Sequence, residues 1–317
     1  MENIPISDMR SFALAGHTSS GKTALADALL YNLGVNDRIG SVDNGSSMSD
    51  FMDEEKSRKI TTFAKPFGAV YKGAGGRKSG MIFVDTPGYM DFYGQVVAGL
   101  RAVDTVLVAV DAASGVQVGT RHVWKDSGKN ALARAIVITG LDKENTDFQK
   151  VLGEVQSAFG DGCVPVTLPL SDLSGVVDVL GSGDVPPDTA GQAEECKSKL
   201  IELAAETDDT LIEKFLGGEE LSADEIASGL RSAVAGGGLV PVFVCVGPKD
   251  VGISELLESM VRLFPAPSDR EQRDAEGNEI STAEDAPFAG IVWRTANDAF
   301  VGQLAFIRVL EIGRAHV

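Results

Sequence analysis

Residues 16–23 read Gly16-His17-Thr18-Ser19-Ser20-Gly21-Lys22-Thr23, a G-x-x-x-x-G-K-[ST] run between an apolar strand-like segment and a helical pattern. In that setting the glycines let the backbone curl until its N–H groups face one concave point, and the start of the helix adds positive field. Lys22 can then reach the β and γ phosphates of a nucleoside triphosphate, and Thr23 can offer its hydroxyl to Mg²⁺. A second run, Asp85-Thr86-Pro87-Gly88, follows another apolar segment. A carboxylate at a strand's C-terminal end can hold the water shell of Mg²⁺, and the Gly88 amide can meet a γ-phosphate. Alone, DTPG is an ordinary turn as readily as a site. Behind a phosphate loop and a strand, it becomes half of a nucleotide-dependent switch.

The elements that must hold these runs are legible as an alternation of short β-branched or apolar runs with helical stretches. This is the pattern of an α/β fold, a mostly parallel sheet with helices on both faces. Candidate strands are Phe12 to Ala15, Met81 to Val84, Thr105 to Val110, Ala135 to Ile138 and Val240 to Val246. Candidate crossover helices are Thr23 to Leu33, Tyr93 to Val103, Thr120 to Gly128 and Asp147 to Phe159. From about 162 to 238 the rhythm changes to a turn-rich stretch, one long acidic helix from Ala190 to Phe215, and another beginning near Ser222, an expected insertion between strands. Its eleven acidic residues from Glu194 to Glu225, set against Lys197, Lys199 and Lys214, read as a solvated helix face. A helix from Ser254 to Phe264 leads into a Pro-, Asp- and Glu-rich linker, and alternating strands from Phe288 to Val309 open another domain.

Twenty-eight Lys and Arg against 46 Asp and Glu give a net charge of −18, so nucleic-acid phosphates and anionic membranes repel the chain as a whole. Contact with RNA must be local, and DNA is not an expected partner. Cys163, Cys196 and Cys245 lack metal-ligand spacing and read as free buried thiols. The N-terminus carries no leader pattern and the apolar runs are strand-sized, which fits a cytoplasmic protein.

With these motifs in order, the sequence resembles the translational GTPases, and most closely elongation factor G and its divergent relatives. GHTSSGKT resembles the family's GHIDAGKT, DFMDEEKSRKITT its first switch segment ending in RGITI, and DTPGYMDF its DTPGHVDF. GVQVGTRHVWK, PVTLPLSD, GVVDVL, FLGGEELSADEI and VPVFVCVGPKDVGISELLESMVRLFPAP have counterparts in the same order. The resemblance implies a P-loop NTPase G domain over 1–266 with a helical subdomain at about 162–238. A linker at 267–286 and the start of a β-barrel domain at 287–310 follow. Residues 311–317, EIGRAHV, break the strand pattern and back-translate to an adapter-like string, so they are expected to be foreign. His316 then has no role.

The resemblance further implies GTP/GDP and Mg²⁺ as cofactors, the ribosome as partner through its RNA and stalk proteins, and a monomer. Lys22, Thr61 and Tyr89 are the expected catalytic group, and Thr23, Thr61 and Asp85 the metal group. Gly16, His17, Thr18, Ser19, Ser20, Gly21, Lys22, Thr23, Asp85 and Gly88 would hold phosphates, and Thr139, Asp142, Val246 and Gly247 the base. His17 is read as a brace for the loop, and His122 as packing or surface.

Several positions depart from the family. Tyr89 stands where it has the histidine that places the attacking water, which predicts slower stimulated hydrolysis. NKxD appears as Thr139-Gly140-Leu141-Asp142: the carboxylate for guanine N1 and N2 remains, while the Asn that braces the loop and the Lys that lies along the base are gone. Val246-Gly247 replaces the Ser-Ala pair, and Ser19 replaces the loop acid, with an expected change in monovalent-ion dependence. Lys59 replaces a glycine, which is expected to stiffen the first switch or to contact ribosomal RNA. A GTP-gated ribosome-associated regulator or protection factor with little turnover is the alternative function, and a P-loop ATPase a third.

Overall fold

A computed structural model describes residues 4–273, 276–280, 288–298 and 300–310. The chain runs through β1 (Met9–Gly16), α1 (Lys22–Asn32), α2 (Asp53–Arg58), β2 (Lys65–Lys72), β3 (Lys78–Asp85), α3 (Tyr93–Leu100) and β4 (Thr105–Asp111). It continues through α4 (Val118–Lys129), β5 (Ala133–Thr139), α5 (Phe148–Phe159), β6 (Cys163–Pro165), β7 (Thr167–Pro169) and β8 (Val176–Asp178). Then come α6 (Ala190–Ala205), α7 (Asp209–Leu216), α8 (Ala223–Gly236), β9 (Val240–Cys245) and α9 (Ile253–Leu263). Two short strands, β10 (Gln272–Arg273) and β11 (Glu279–Ile280), precede the hairpin β12 (Gly290–Asp298) and β13 (Gly302–Val309). The expected foreign tail, residues 274–275 and 281–286 of the expected linker, and residues 287 and 299 of the expected barrel start lie outside the described residues.

The main sheet has the order β2-β3-β1-β4-β5-β9-β6 and is parallel except for β2. Consecutive residues of β4 and β9 are all buried. Since successive side chains of a strand point to opposite faces, both faces are covered, which is why these strands read as valine-rich, almost wholly apolar runs. Phe12 stacks on Phe83 at 5.4 Å and meets Phe264 edge-on at 6.2 Å, which seats α9 on the sheet. In the sheet β1 is flanked by β3 on one side and β4 on the other, and the strand order reverses there, so the loop after β1 sits at a topological switch point, where open α/β sheets bind ligands.

Three details differ from the sequence expectation. The stretch from Gly162 is not wholly an insertion: β6 pairs with β9 in parallel and completes the sheet edge. The helix expected over Ala190 to Phe215 breaks after Ala205, because Asp208 caps a new helix by accepting from the Thr210 and Leu211 amides at 2.8 and 3.2 Å. Strand β2 was hidden by Pro66 and Gly68, poor strand formers that an antiparallel edge tolerates. The start of the next helix conforms: Ser222 and Glu225 form a reciprocal capping box at the head of α8. The three cysteines are buried and form no disulfide, and burial pushes the Cys163 thiol up to about 12 and Cys196 up to about 11.

The terminal hairpin is fastened to the sheet by a buried carboxylate. Asp104, fully buried at the start of β4, accepts from Arg308 of β13 at 2.6 Å, from Arg270 at 3.2 Å and from the Ser11 hydroxyl at 2.5 Å. Neutralising it leaves two guanidinium groups without their anion in a dry place. Asp104→Asn is therefore expected to cost about 3–5 kcal/mol, read by urea unfolding; a loss under about 1 kcal/mol would show that the arginines find other partners.

Candidate functional site

The phosphate loop is built at the end of β1, in register with Asp85 and Ala109 of its two neighbours. Gly16 has φ +148°, and a Cβ there would lie 2.5 Å from the Ala109 carbonyl oxygen, so only glycine lets the chain leave the strand at this angle. The His17 carbonyl is the loop's hub: it accepts from the Ser20 hydroxyl at 2.9 Å and from Lys22 Nζ at 2.5 Å. The His17 imidazole is held neutral, its pKa lowered first by burial and then by Lys22, and its Nδ1 is buried without a hydrogen-bond partner.

Strand β3 brings the second run alongside. Thr86 Oγ1 donates to the Leu14 carbonyl at 2.6 Å, fixing the turn against β1. A Cβ on Gly88 would stand 2.6 Å from Lys22 Nζ and 2.7 Å from Thr18 Cα, so the Gly88 backbone lies directly against the loop. Asp85 is fully buried; its Oδ2 accepts from Ser49 at 2.5 Å and its Oδ1 is buried without a partner. Burial pushes Lys22 down to about 8 against the pull of Asp85 and Asp50, and pushes Asp85 up to about 6 against the Ser49 bond and Lys65. Both groups are costly here without a counter-charge, and a phosphate and a cation would supply one for each.

Residues 40–65 close the cleft from above. Asp27 of α1 pins the incoming chain, its Oδ1 accepting from the Met48 amide at 2.8 Å. Lys65, at the start of β2 and opposite Asp85, is buried and pairs with Glu55 at 2.7 Å and Asp50 at 3.2 Å. Glu55 also takes the Thr62 amide at 2.9 Å. This trio fixes α2 over the loop and sets the Thr61 hydroxyl 2.9 Å from that of Thr23. Two hydroxyls in contact, together with the Asp85 carboxylate, which has an unpartnered oxygen and lies near enough to Lys22 to act on its charge, are hard oxygen donors of the kind that suits Mg²⁺.

These parts enclose a cleft of about 330 Å³. Of the residues the sequence singles out, Thr18, Ser19, Gly21, Lys22, Thr23, Thr61, Gly88 and Tyr89 line it. Gly16, His17, Ser20 and Asp85 stand behind that lining. Val42, Asp43, Asp50 and Lys59 line it as well. No local motif marks Val42 or Asp43, whereas Asp50 and Lys59 fall within the segment that resembles the family's first switch.

The base-side residues lie apart from the cleft, at the same edge of the sheet. Thr139 ends β5 beside Cys245 of β9, and its hydroxyl donates to the Ser20 carbonyl at 3.0 Å. The loop is thus braced by a threonine where the sequence suggested the brace was lost. Thr139→Val leaves a buried carbonyl short of one donor, a loss of about 1–1.5 kcal/mol. Nucleotide affinity is expected to fall about fivefold to tenfold in a fluorescence titration, and unchanged affinity would mean the loop holds itself. Asp142 is ion-paired with Lys249 at 3.4 Å, which joins the loops after β5 and β9. Val246 and Gly247 are buried; a Cβ on Gly247 would lie 2.9 Å from the Ala24 carbonyl oxygen of α1. His122 meets Tyr93 edge-on at 5.9 Å, a packing role.

Residues 7–266 match the model of the elongation factor Tu GTP binding domain. The chain belongs to this GTPase family. Guanine-nucleotide binding comes with that membership. Its structure is also similar to the crystal structure of a protein from Thermus thermophilus, with 31% sequence identity and a TM-score of 0.84. The similarity covers 96% of this chain and 46% of that protein, so the chain spans under half of its structural relative. No helix among the described residues is long and apolar enough to cross a membrane.

Proposed function

We propose that this chain is the nucleotide-binding part of an elongation-factor-G-like translational GTPase of the cytoplasm. It binds GTP with Mg²⁺, engages the ribosome as a monomer in the GTP form and hydrolyses GTP to GDP. The G domain would span 1–266, with 267–286 as linker and 287–310 as the start of a β-barrel domain. The observation that carries the reading is the pair of hydroxyls, Thr23 on the loop and Thr61 on the switch, 2.9 Å apart beside the Lys22 cleft. A switch threonine in that place bonds when a γ-phosphate and its metal are present and lets go when they leave, which couples nucleotide state to surface shape.

Catalysis in such a site is positioning and charge stabilisation. Lys22 and the loop amides hold the β and γ phosphates, Gly88 offers its amide to the γ-phosphate, and Tyr89 is the group nearest in sequence to the attacking water's place. Thr23, Thr61 and Asp85 would hold Mg²⁺, which when bound would supply positive charge to offset that of the phosphates. Asp142 would accept the guanine N1 and N2 hydrogens after parting from Lys249. Turnover of GTP measured with and without ribosomes tests the proposal, with strong stimulation expected. Measurable GTP binding with no turnover in either case would favour a GTP-gated ribosome ligand, a reading supported by the tyrosine at position 89.

A further inference from the structure

Two departures from the family pattern, Lys59 and Tyr89, line the same cleft. Lys59 is the C-cap of α2 and holds φ +54°, ψ +42°, a left-handed conformation in which glycine is the easy choice and a lysine is strained. Its amide closes the cap on the Glu55 carbonyl, so the conformation is fixed by the helix end. Lys59 lines the cleft together with Thr18, Lys22, Thr61 and Tyr89. Its ion pair, with Asp43 Oδ1 at 3.7 Å, is long and solvent-exposed, and Asp43 lines the cleft too. Such a pair holds a lysine weakly, and a phosphate with more than one negative charge is the stronger partner.

We infer that Lys59 is a catalytic residue of this GTPase, a cation supplied from the chain's own first switch to the γ-phosphate. The inference rests on the GTPase reading of the cleft. With GTP bound, the ammonium turns from Asp43 to the γ-phosphate oxygens. A water oxygen bonds to the γ phosphorus as the bond to the β–γ bridging oxygen breaks. GDP leaves with that electron pair, and the water's proton passes to the released phosphate or to solvent. Lys59 keeps its proton throughout and offsets the charge that gathers on the leaving oxygen and the transferred group, the part an arginine finger plays elsewhere. It shares the cleft with Tyr89, which stands where the family has an imidazole.

The test uses the full chain with Lys59→Gly, Lys59→Ala and Lys59→Arg. Relief of the strained cap is expected to raise the melting temperature of Lys59→Gly by about 2 °C, so misfolding cannot explain a loss of activity. GDP affinity is expected to stay within about twofold, while kcat for GTP falls roughly 30- to 300-fold with little change in KM, and Lys59→Arg recovers most of the rate. A wild-type chain that fails to bind GDP would remove the GTPase reading itself. GDP binding with equal kcat in wild type and Lys59→Gly would overturn the role of Lys59 alone. A loss confined to the ribosome-stimulated rate, with intrinsic single-turnover hydrolysis unchanged, would make Lys59 an RNA contact and also overturn it. Should the wild-type rate be too slow to measure, the probe is GDP with aluminium fluoride: capture lost in Lys59→Gly and kept in Lys59→Arg supports the inference, and equal capture in all variants rejects it.

Discussion

Replacing Lys22 with methionine is expected to weaken GTP and GDP binding by a factor of roughly 10²–10³ while leaving the free protein at least as stable. The two effects have one origin. Lys22 is the most costly cation in the sheet's upper edge: burial drives its ammonium down to about 8, and its bond to the His17 carbonyl satisfies only part of its donor capacity. A lysine whose folded pKa lies below its unfolded value destabilises the fold at neutral pH, and that cost fades as the pH rises through about 8 toward the ordinary lysine range. Methionine fills a similar volume without the charge, so the free chain gains what the ammonium cost. With nucleotide bound the sign reverses. Charge-assisted bonds to phosphate contribute about 1.5–3 kcal/mol each, and a loss of about 3–4 kcal/mol in all corresponds to the stated factor. Thermal melting with and without GDP reads both terms at once. A variant that keeps the full GDP-induced rise in melting temperature would show that the loop amides alone hold the phosphates.

The contrast between Lys22 and Lys65 shows what could be read from sequence. Lys22 belongs to eight consecutive residues whose chemistry is complete in one loop, so its place followed from the string alone. Lys65 carries comparable positional weight, yet its partners Asp50 and Glu55 stand fifteen and ten residues away, within the segment that resembles the first switch. Only the antiparallel pairing of β2 with β3, which puts Lys65 opposite Asp85, reveals that they converge. That pairing was illegible because Pro66 and Gly68 disguise the strand. The buried parallel strands were legible for the opposite reason: a strand covered on both faces must be apolar at nearly every position, and β4 and β9 are.

Thr139 teaches a related point. Compared position by position, a threonine in place of asparagine reads as a lost brace. In the fold, the residue ends a strand beside the loop, and a hydroxyl on Cβ is long enough to reach the Ser20 carbonyl. Substitution patterns report side-chain identity, while bracing needs only one donor at the correct distance. The break at Asp208 was missed because good helix formers stand on both sides of it, although the run Thr207-Asp208-Asp209-Thr210 between them is poor in helix formers and carries the capping aspartate.

Replacing Tyr89 with histidine is expected to raise ribosome-stimulated GTP turnover at least about tenfold, since a positioned acid–base group contributes typically 10²–10⁴-fold. Tyr89 sits just before the short helical turn Met90–Phe92, next to Gly88, whose backbone lies against Lys22 and Thr18. Its side chain borders the cleft and is 42% exposed, so the site has room for an imidazole without repacking the core. Stability is therefore expected to change by no more than about 0.5 kcal/mol. An imidazole can accept a hydrogen bond from water and change its charge near neutral pH, whereas a phenol stays neutral and only orients. The gain should appear in kcat with KM nearly constant, because Tyr89 lines the cleft with Lys22, Thr61 and Gly88, the phosphate end under the proposed reading, and apart from Thr139 and Asp142. Equal turnover in Tyr89→His and wild type would mean that the tyrosine already places the water or that another step sets the rate. A fall would mean that the phenol itself is used. Either result would also change the task left for Lys59, because a cation across the cleft matters most when the water-placing group brings no charge of its own.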